Sequence, residues 1–402
     1  MVTVHEAETL LFDKLTPLSP ERVSLSKACG RILLEPILAD RALPPFDRVA
    51  MDGIAVSFSQ LESGRHRFFS NGIQRAGEPC LQLRDSEGCL EVMTGAPLPG
   101  GCDCVIPYED VEFIDNHFLV KKRIQTSFLK NVHPLGADIK AGEGALEPGI
   151  RLLPTHLAVA AAVGATTLAV SRQPAIGVIS TGNELVSPET IPLPYQIRQS
   201  NSFAIQSCLI SHGFPVRTNR HLRDNEEIIR DALGMLLITH DVLIFSGGVS
   251  KGRFDFLPDA LKDGKVHIVF HGVNQKPGKP FLFGIHPSCG ALVFGLPGNP
   301  ISCLVALYRY VVPALFRMSG LVKPLEKRVL MSETVMAAKN GFVRFLPVKL
   351  VGDASGRWSA KITNSNGSGD FLSLTHSDGF VEVPAEGASN GAWLPYFSWS
   401  GV

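Results

Sequence analysis

From residue 173 to residue 316 the chain alternates strand-like and helix-like text, and no other feature limits its possible folds as strongly. The strand-like runs are "AIGVIS", "PVRTNRHL", "DVLIFS", "VHIVF" and "ALVFGL". Among them lie the helical patterns "SNSFAIQSCLISHG" and "DNEEIIRDALGMLLITH", and "NPISCLVALYRYVVPALF" closes the series. Such alternation predicts a mostly parallel sheet with helices on both faces, a three-layer α/β/α domain. Ligands of these sheets collect at the carboxyl ends of the strands, so the loops that leave those ends are where chemistry is expected.

The flanks have a different texture. Residues 1–40 read as two helices, "VHEAETLLFDKL" and "SLSKACGRILLEPIL", separated by a Pro/Ser turn. Residues 41–141 turn to short strands punctuated by Gly and Pro, a β-rich domain. Helical text returns in "LPTHLAVAAAVGA", so residues 142–172 are expected to rejoin residues 1–40 as a helical linker domain, with the β-rich domain inserted. Residues 173–321 form the α/β/α domain and residues 322–402 a C-terminal β domain. A chain of 402 residues exceeds what one core usually organises, in keeping with several domains.

Charge excludes some functions. Lys plus Arg and Asp plus Glu both number 38, leaving no basic field for nucleic acid, so any anion site must be local. The amphipathic, acid-bearing N-terminus does not read as a signal peptide, and "THLAVAAAVGATTLAV" is too short and alanine-rich to span a bilayer. A cytoplasmic protein with free thiols is expected. Of the eight cysteines only Cys102 and Cys104 are close in sequence, with no second pair or histidine at zinc spacing.

Three loops leave the predicted strand ends: "STGNEL", "SGGVSKGRFD" and "LPGNPIS". Their glycines, Gly247, Gly248 and Gly298 with Pro297 and Pro300 around the last, let backbone N–H groups face an oxyanion at a helix N-terminus. "KPGKP" sets Lys276 and Lys279 on a loop stiffened by two prolines, which suits either placed charge or an exposed turn. It is no Walker motif, because Val273 and Pro280 stand where Gly and Ser/Thr belong. "GVSKG" fits G-x-S-x-G and would make Ser250 a hydrolase nucleophile, but no H-G-G oxyanion loop accompanies it. Four acids stand out: Glu184, Asp224, Asp255 and Asp52. Each has a structural alternative, Asp224 with Glu227 as a capping box, Asp52-Gly53 as a hairpin turn, and Glu184 and Asp255 as first-turn acids. Together with the lysines they also suit carboxylates holding Mg²⁺ on a phosphate-bearing ligand, with a second oxyanion neutralised nearby.

The ordered segments "PPFDRVAMDGIAV", "VMTGAPLPGGCDCVIPYEDVE", "GADIKAGE", "VISTGNELV", "FSGGVSKGRFDF", "KPGKP", "GLPGNPIS" and "GSGDFLSLTHSDGFVEVP" resemble the molybdopterin molybdotransferases, which include the E domain of gephyrin. The resemblance covers nearly the whole chain. It implies a transferase of the final step of molybdenum cofactor biosynthesis, which takes molybdate and adenylyl-molybdopterin and releases AMP with Mg²⁺. It also implies an elongated homodimer with a site shared between subunits, and an adenylyltransferase as possible supplier of the substrate. On this resemblance Asp224 and Asp255 hold Mg²⁺, and Asp52, Thr94, Asp138 and Glu184 match residues the family needs. Lys276, Lys279, Ser302 and Ser368 match molybdate contacts, and Gly247, Gly248, Ser250, Pro297, Gly298 and Pro300 line the pterin nucleotide. The chain departs from the family at Gln199, His133, Ala137 and around Arg344. A non-catalytic scaffold of the same fold, like some gephyrin relatives, and the Ser250 hydrolase are the alternatives.

Overall fold

The computed structural model describes residues 1–122, 124–249, 255–322 and 326–400. The chain divides into two compact units: residues 1–34, 148–153 and 168–402 in the first, 35–147 and 154–167 in the second.

The core of the first unit is a six-stranded sheet in the order Val216–Leu222, Ile176–Thr181, Val242–Ser246, Leu292–Leu296, Leu282–Ile285, His267–His271. The first four strands are parallel, and Leu282–Ile285 runs antiparallel to both its neighbours. Period-two alternation accounts for the layering. Ile176, Val178, Val242, Ile244, Leu292 and Phe294 face a core shared with the helices Asn201–Ser211 and Pro300–Ala306. Ile179, Leu243, Phe245 and Val293 face the opposite core with the helices Glu226–Thr239 and Leu257–Asp263. Strands buried on both sides are what a three-layer sheet requires. The helical stretch Pro300–Met318 is long and apolar enough to cross a membrane, yet 72% of it is buried, as the central helix of this core.

The N-terminal helix Val4–Phe12, closed by a Thr3–Glu6 capping box, packs Val4, Ala7 and Leu11 into the same core. Arg309 fixes it to the C-terminal sheet, gripping Glu8 with two N–H groups at 3.1 and 3.0 Å and Glu382 at 2.7 Å. The second predicted helix does not form. "SLSKACGRILLEPIL" contains a 3₁₀ turn at Leu25–Lys27 and the short strand Ile37–Leu38, and Gly30 takes a φ of 80°. Leu33 and Leu34 then donate their N–H groups to Ile150 and Ala169, so tertiary pairing overrides helical spacing.

The C-terminal strands close on themselves. Val343–Gly352, Trp358–Ile362, Arg328–Met331, Trp393–Ser398 and Gly379–Val383 follow one another, and the last pairs again with the first. Closure leaves no free edge around the barrel. A sixth strand, Gln275–Lys276, adds to Val343–Gly352 with Lys276 opposite Arg344, so the lysine loop is pinned to the barrel.

The second unit holds a mixed six-stranded sheet in the order Cys104–Pro107, Gly53–Val56, Cys89–Val92, Arg67–Gln74, His117–Val120, Val111–Ile114, together with the helix Pro154–Ala162. Burial pushes the thiols of Cys89, Cys102 and Cys104 up to about 12, which keeps them protonated and unreactive.

Candidate functional site

A cleft of about 950 Å³ lies in the first unit, where the parallel strands end. Glu184, Asp224, Asp255, Gly247, Gly248, Pro297, Gly298 and Pro300 all line it. Both conformation and space require glycine at position 247. Gly247 has a φ of 93°, and a Cβ on it would stand 2.8 Å from the Thr181 carbonyl. A Cβ on Gly298 would lie 3.8 Å from the Gly247 Cα, so the two loops nearly touch.

The acids are held by their neighbours. Asn183 and Asp224 exchange hydrogen bonds, the Asn183 N–H to Oδ2 at 3.1 Å and the Asp224 N–H to Asn183 Oδ1 at 3.3 Å, which ties "STGNEL" to "RDNEEI". Asp224 is not the helix cap. Asn225 takes that role, its side chain accepting from the Ile228 N–H at 3.0 Å. The Asp224 carboxylate is thereby left to the cleft. Burial, and then the nearby charges of Glu184 and Asp255, push its carboxyl above the usual carboxylate range, while the Asn183 N–H pulls the other way. Among the described residues no three His, Cys, Asp or Glu side chains form a ready-made metal cage.

Several residues that position the cleft escaped the sequence reading. Asn201 donates to the Ser246 hydroxyl at 3.1 Å and the Gly298 carbonyl at 2.7 Å, joining two strand-end loops. Asn299 donates to the Ser368 hydroxyl at 3.0 Å, and the Ile301 N–H meets the Ser368 carbonyl at 3.1 Å. The "GSG" turn of the barrel thus sits on the N-terminus of the helix that carries Ser302, and Gly369 and Phe371 complete the wall. The hydroxyls of Ser180, Thr181 and Ser202, residues that line the cleft, are buried without a protein partner among the described residues.

The lysine loop rests on buried Gln275. Its amide donates to the carbonyls of Pro277 and Gly278 at 3.3 and 3.2 Å, and the Tyr310 hydroxyl donates to its oxygen at 2.6 Å. Lys276 and Lys279 remain exposed, the latter with its ammonium 5.7 Å from the centre of the Phe342 ring. Pro280, next along, lines the cleft, and the Ser302 carbonyl stands 3.5 Å from where a Gly278 Cβ would be. Lys276 does not lie in a plain loop, as it closes the short strand opposite Arg344. The Arg344 guanidinium donates from Nη2 to the Met336 carbonyl, and its Nε is buried without a protein partner among the described residues. Ser250 falls outside the described residues.

Asp52, Thr94 and Asp138 belong to the second unit. Asp52-Gly53 is no hairpin turn, because Gly53 begins a strand paired on both sides and a Cβ there would be 2.0 Å from the Ile106 carbonyl. The Asp52 carboxylate accepts from the Thr94 N–H at 2.6 Å and its hydroxyl at 2.8 Å, which holds it below the usual range. Asp138 stands 3.0 Å from the His133 ring.

Residues 2–164 match the "MoeA N-terminal region (domain I and II)", 177–317 a "Probable molybdopterin binding domain", and 332–397 the "MoeA C-terminal region (domain IV)". The molybdopterin molybdenumtransferase of Synechocystis is 40% identical over 372 residues, 92% of this chain and 93% of the relative. That of Haemophilus influenzae is 34% identical over 80% of this chain and 78% of its own length. A solved molybdopterin biosynthesis protein of Pyrococcus horikoshii superposes with a TM-score of 0.83 at 26% identity, covering 99% of this chain and all of the other. With relatives so similar across nearly its whole length, the chain belongs to the molybdopterin molybdenumtransferase family of transferases.

Proposed function

We propose that this protein inserts molybdenum from molybdate into adenylylated molybdopterin, with Mg²⁺-dependent release of AMP. One observation carries the reading: a cleft with three carboxylates and two glycine loops runs into a loop that exposes two lysines. The relatives' names support the substrate class.

Asp224 fits Mg²⁺. Its carboxyl is crowded by Glu184 and Asp255, and a divalent cation relieves that repulsion. Magnesium is usually held by one or two carboxylates, substrate phosphates and water, which suits Asp224 and Asp255 without a third protein ligand. When bound, it supplies positive charge to the phosphoanhydride oxygens. The chain's own groups do the rest. Backbone N–H groups at Gly248 and Gly298 orient the phosphates, Gly247 shapes the turn while its own N–H donates to the Leu296 carbonyl, and the helix N-terminus at Pro300 adds its dipole. Lys276 and Lys279, with Ser368, receive the molybdate dianion through charge-assisted hydrogen bonds, whereas Ser302 is buried and the Arg344 guanidinium already donates to the Met336 carbonyl. An adenylyltransferase reaction must supply the substrate. The family assignment and the clustered acids favour this transfer over a Ser250 hydrolase or a silent scaffold.

We further infer a homodimer in which the partner's Asp52 and Thr94 serve the cleft. Asp52→Ala and Asp255→Ala chains are then each inactive alone. Mixed to allow random exchange, half the dimers are hybrid and each rebuilds one of its two sites, so molybdate-dependent AMP release returns to about a quarter of wild type. Activity that stays at the level of either mutant, after exchange is verified by native mass spectrometry, overturns the shared site.

A further inference from the structure

In the second unit, Arg48 and His133 face each other as an antiparallel cross-strand pair. The Arg48 Nη2 lies 3.0 Å from His133 Nδ1, and His133 Nε2 lies 3.0 Å from Asp138 Oδ1. A guanidinium only donates, so Nδ1 must carry the lone pair and the ring proton must sit on Nε2, aimed at the carboxylate. The chain of donors therefore runs one way, from Arg48 through a neutral imidazole to Asp138. A second proton on the ring would bring an N–H against the guanidinium.

The same strand reaches the turn that follows Thr94, the residue that holds Asp52. Val49, next to Arg48, donates to the Ala96 carbonyl at 2.9 Å and accepts from the Gly95 N–H at 2.9 Å, just past Thr94. Asp138 is also held by its own N–H on the Leu43 carbonyl at 2.9 Å. Its side chain remains 55% exposed, which leaves the carboxylate able to accept from a ligand.

We propose that His133 is a positioning residue that fixes Asp138 for molybdenum transfer by donating from Nε2 as a neutral ring, with Arg48 selecting that tautomer. The role rests on the function proposed above. What position 133 must supply is an acceptor toward Arg48 and a donor toward Asp138, not a charge. Glutamine offers the same pair of groups, Oε1 and Nε2, whereas alanine offers neither.

The test combines spectroscopy with kinetics. In ¹⁵N-histidine-labelled protein, the His133 signal, assigned by its loss in His133→Ala, should report the neutral Nε2–H tautomer, and in Arg48→Met a mixture of tautomers. An Nδ1–H or doubly protonated ring in the wild type overturns the relay. In molybdate-dependent AMP release, His133→Ala should lower kcat by more than about tenfold with the KM for molybdate unchanged, since misplacing a group by an ångström can cost about 10²-fold. His133→Gln should restore most of kcat. Full activity in His133→Ala or Asp138→Asn, or equal losses in the alanine and glutamine variants, overturns the positioning role while leaving the transferase reading intact. A wild-type protein without turnover overturns that reading, and the role with it.

Discussion

Replacing Lys276 and Lys279 together with alanine should cut molybdate-dependent AMP release by orders of magnitude and leave the fold intact. Both side chains are exposed, and the loop is held from beneath by Gln275 and Tyr310 and from the side by the strand pairing at Gln275–Lys276. None of these contacts uses an ammonium group. Among the described residues the fold loses the Lys279–Phe342 contact alone, about 0.5–1 kcal/mol at an exposed site. On the proposed site a bound oxyanion would lose two charge-assisted hydrogen bonds, each about 1.5–3 kcal/mol, so kcat/KM for molybdate should fall by about 10²–10⁴-fold. Rates at limiting molybdate, with thermal unfolding as control, decide the matter. Unchanged turnover would make the motif a surface turn.

Asp224→Asn should separate stability from activity. Burial and two neighbouring carboxylates raise the native carboxyl above its unfolded value, so the native state holds the proton more tightly. The ionised group therefore costs stability at neutral pH, and that cost fades as pH falls through the native value toward the unfolded one. Asparagine keeps an oxygen for the Asn183 N–H and drops the charge. The variant should melt about a degree or two higher than wild type without Mg²⁺, and should be inactive. Mg²⁺ should raise the melting temperature of the wild type only. A variant that melts lower in the absence of Mg²⁺, or one that Mg²⁺ stabilises as much as wild type, would contradict the placement of the cation.

The central sheet was legible because its information is local. Alternation in "DVLIFS" and "ALVFGL" and glycine-bearing strand ends suffice to predict it, and the loops it positions follow. The structure departs from the local pattern where two local rules compete or where a distant partner decides. Asp224 and Asn225 both suit a helix cap, and only the structure shows that Asn225 takes it. "SLSKACGRILLEPIL" has helical spacing, but pairing with residues 150 and 169 draws Leu33 and Leu34 into extended backbone. Gln275, Asn201 and Arg344 acquire their places from Tyr310, Gly298 and Lys276, partners 35, 97 and 68 positions away that no local pattern announces.

The decisive measurement is AMP release by the wild-type protein incubated with adenylyl-molybdopterin and Mg²⁺, with and without molybdate. AMP release should depend on molybdate and match, mole for mole, the molybdenum bound to the pterin. AMP release at the same rate without molybdate, or no release with it, would contradict the proposed function.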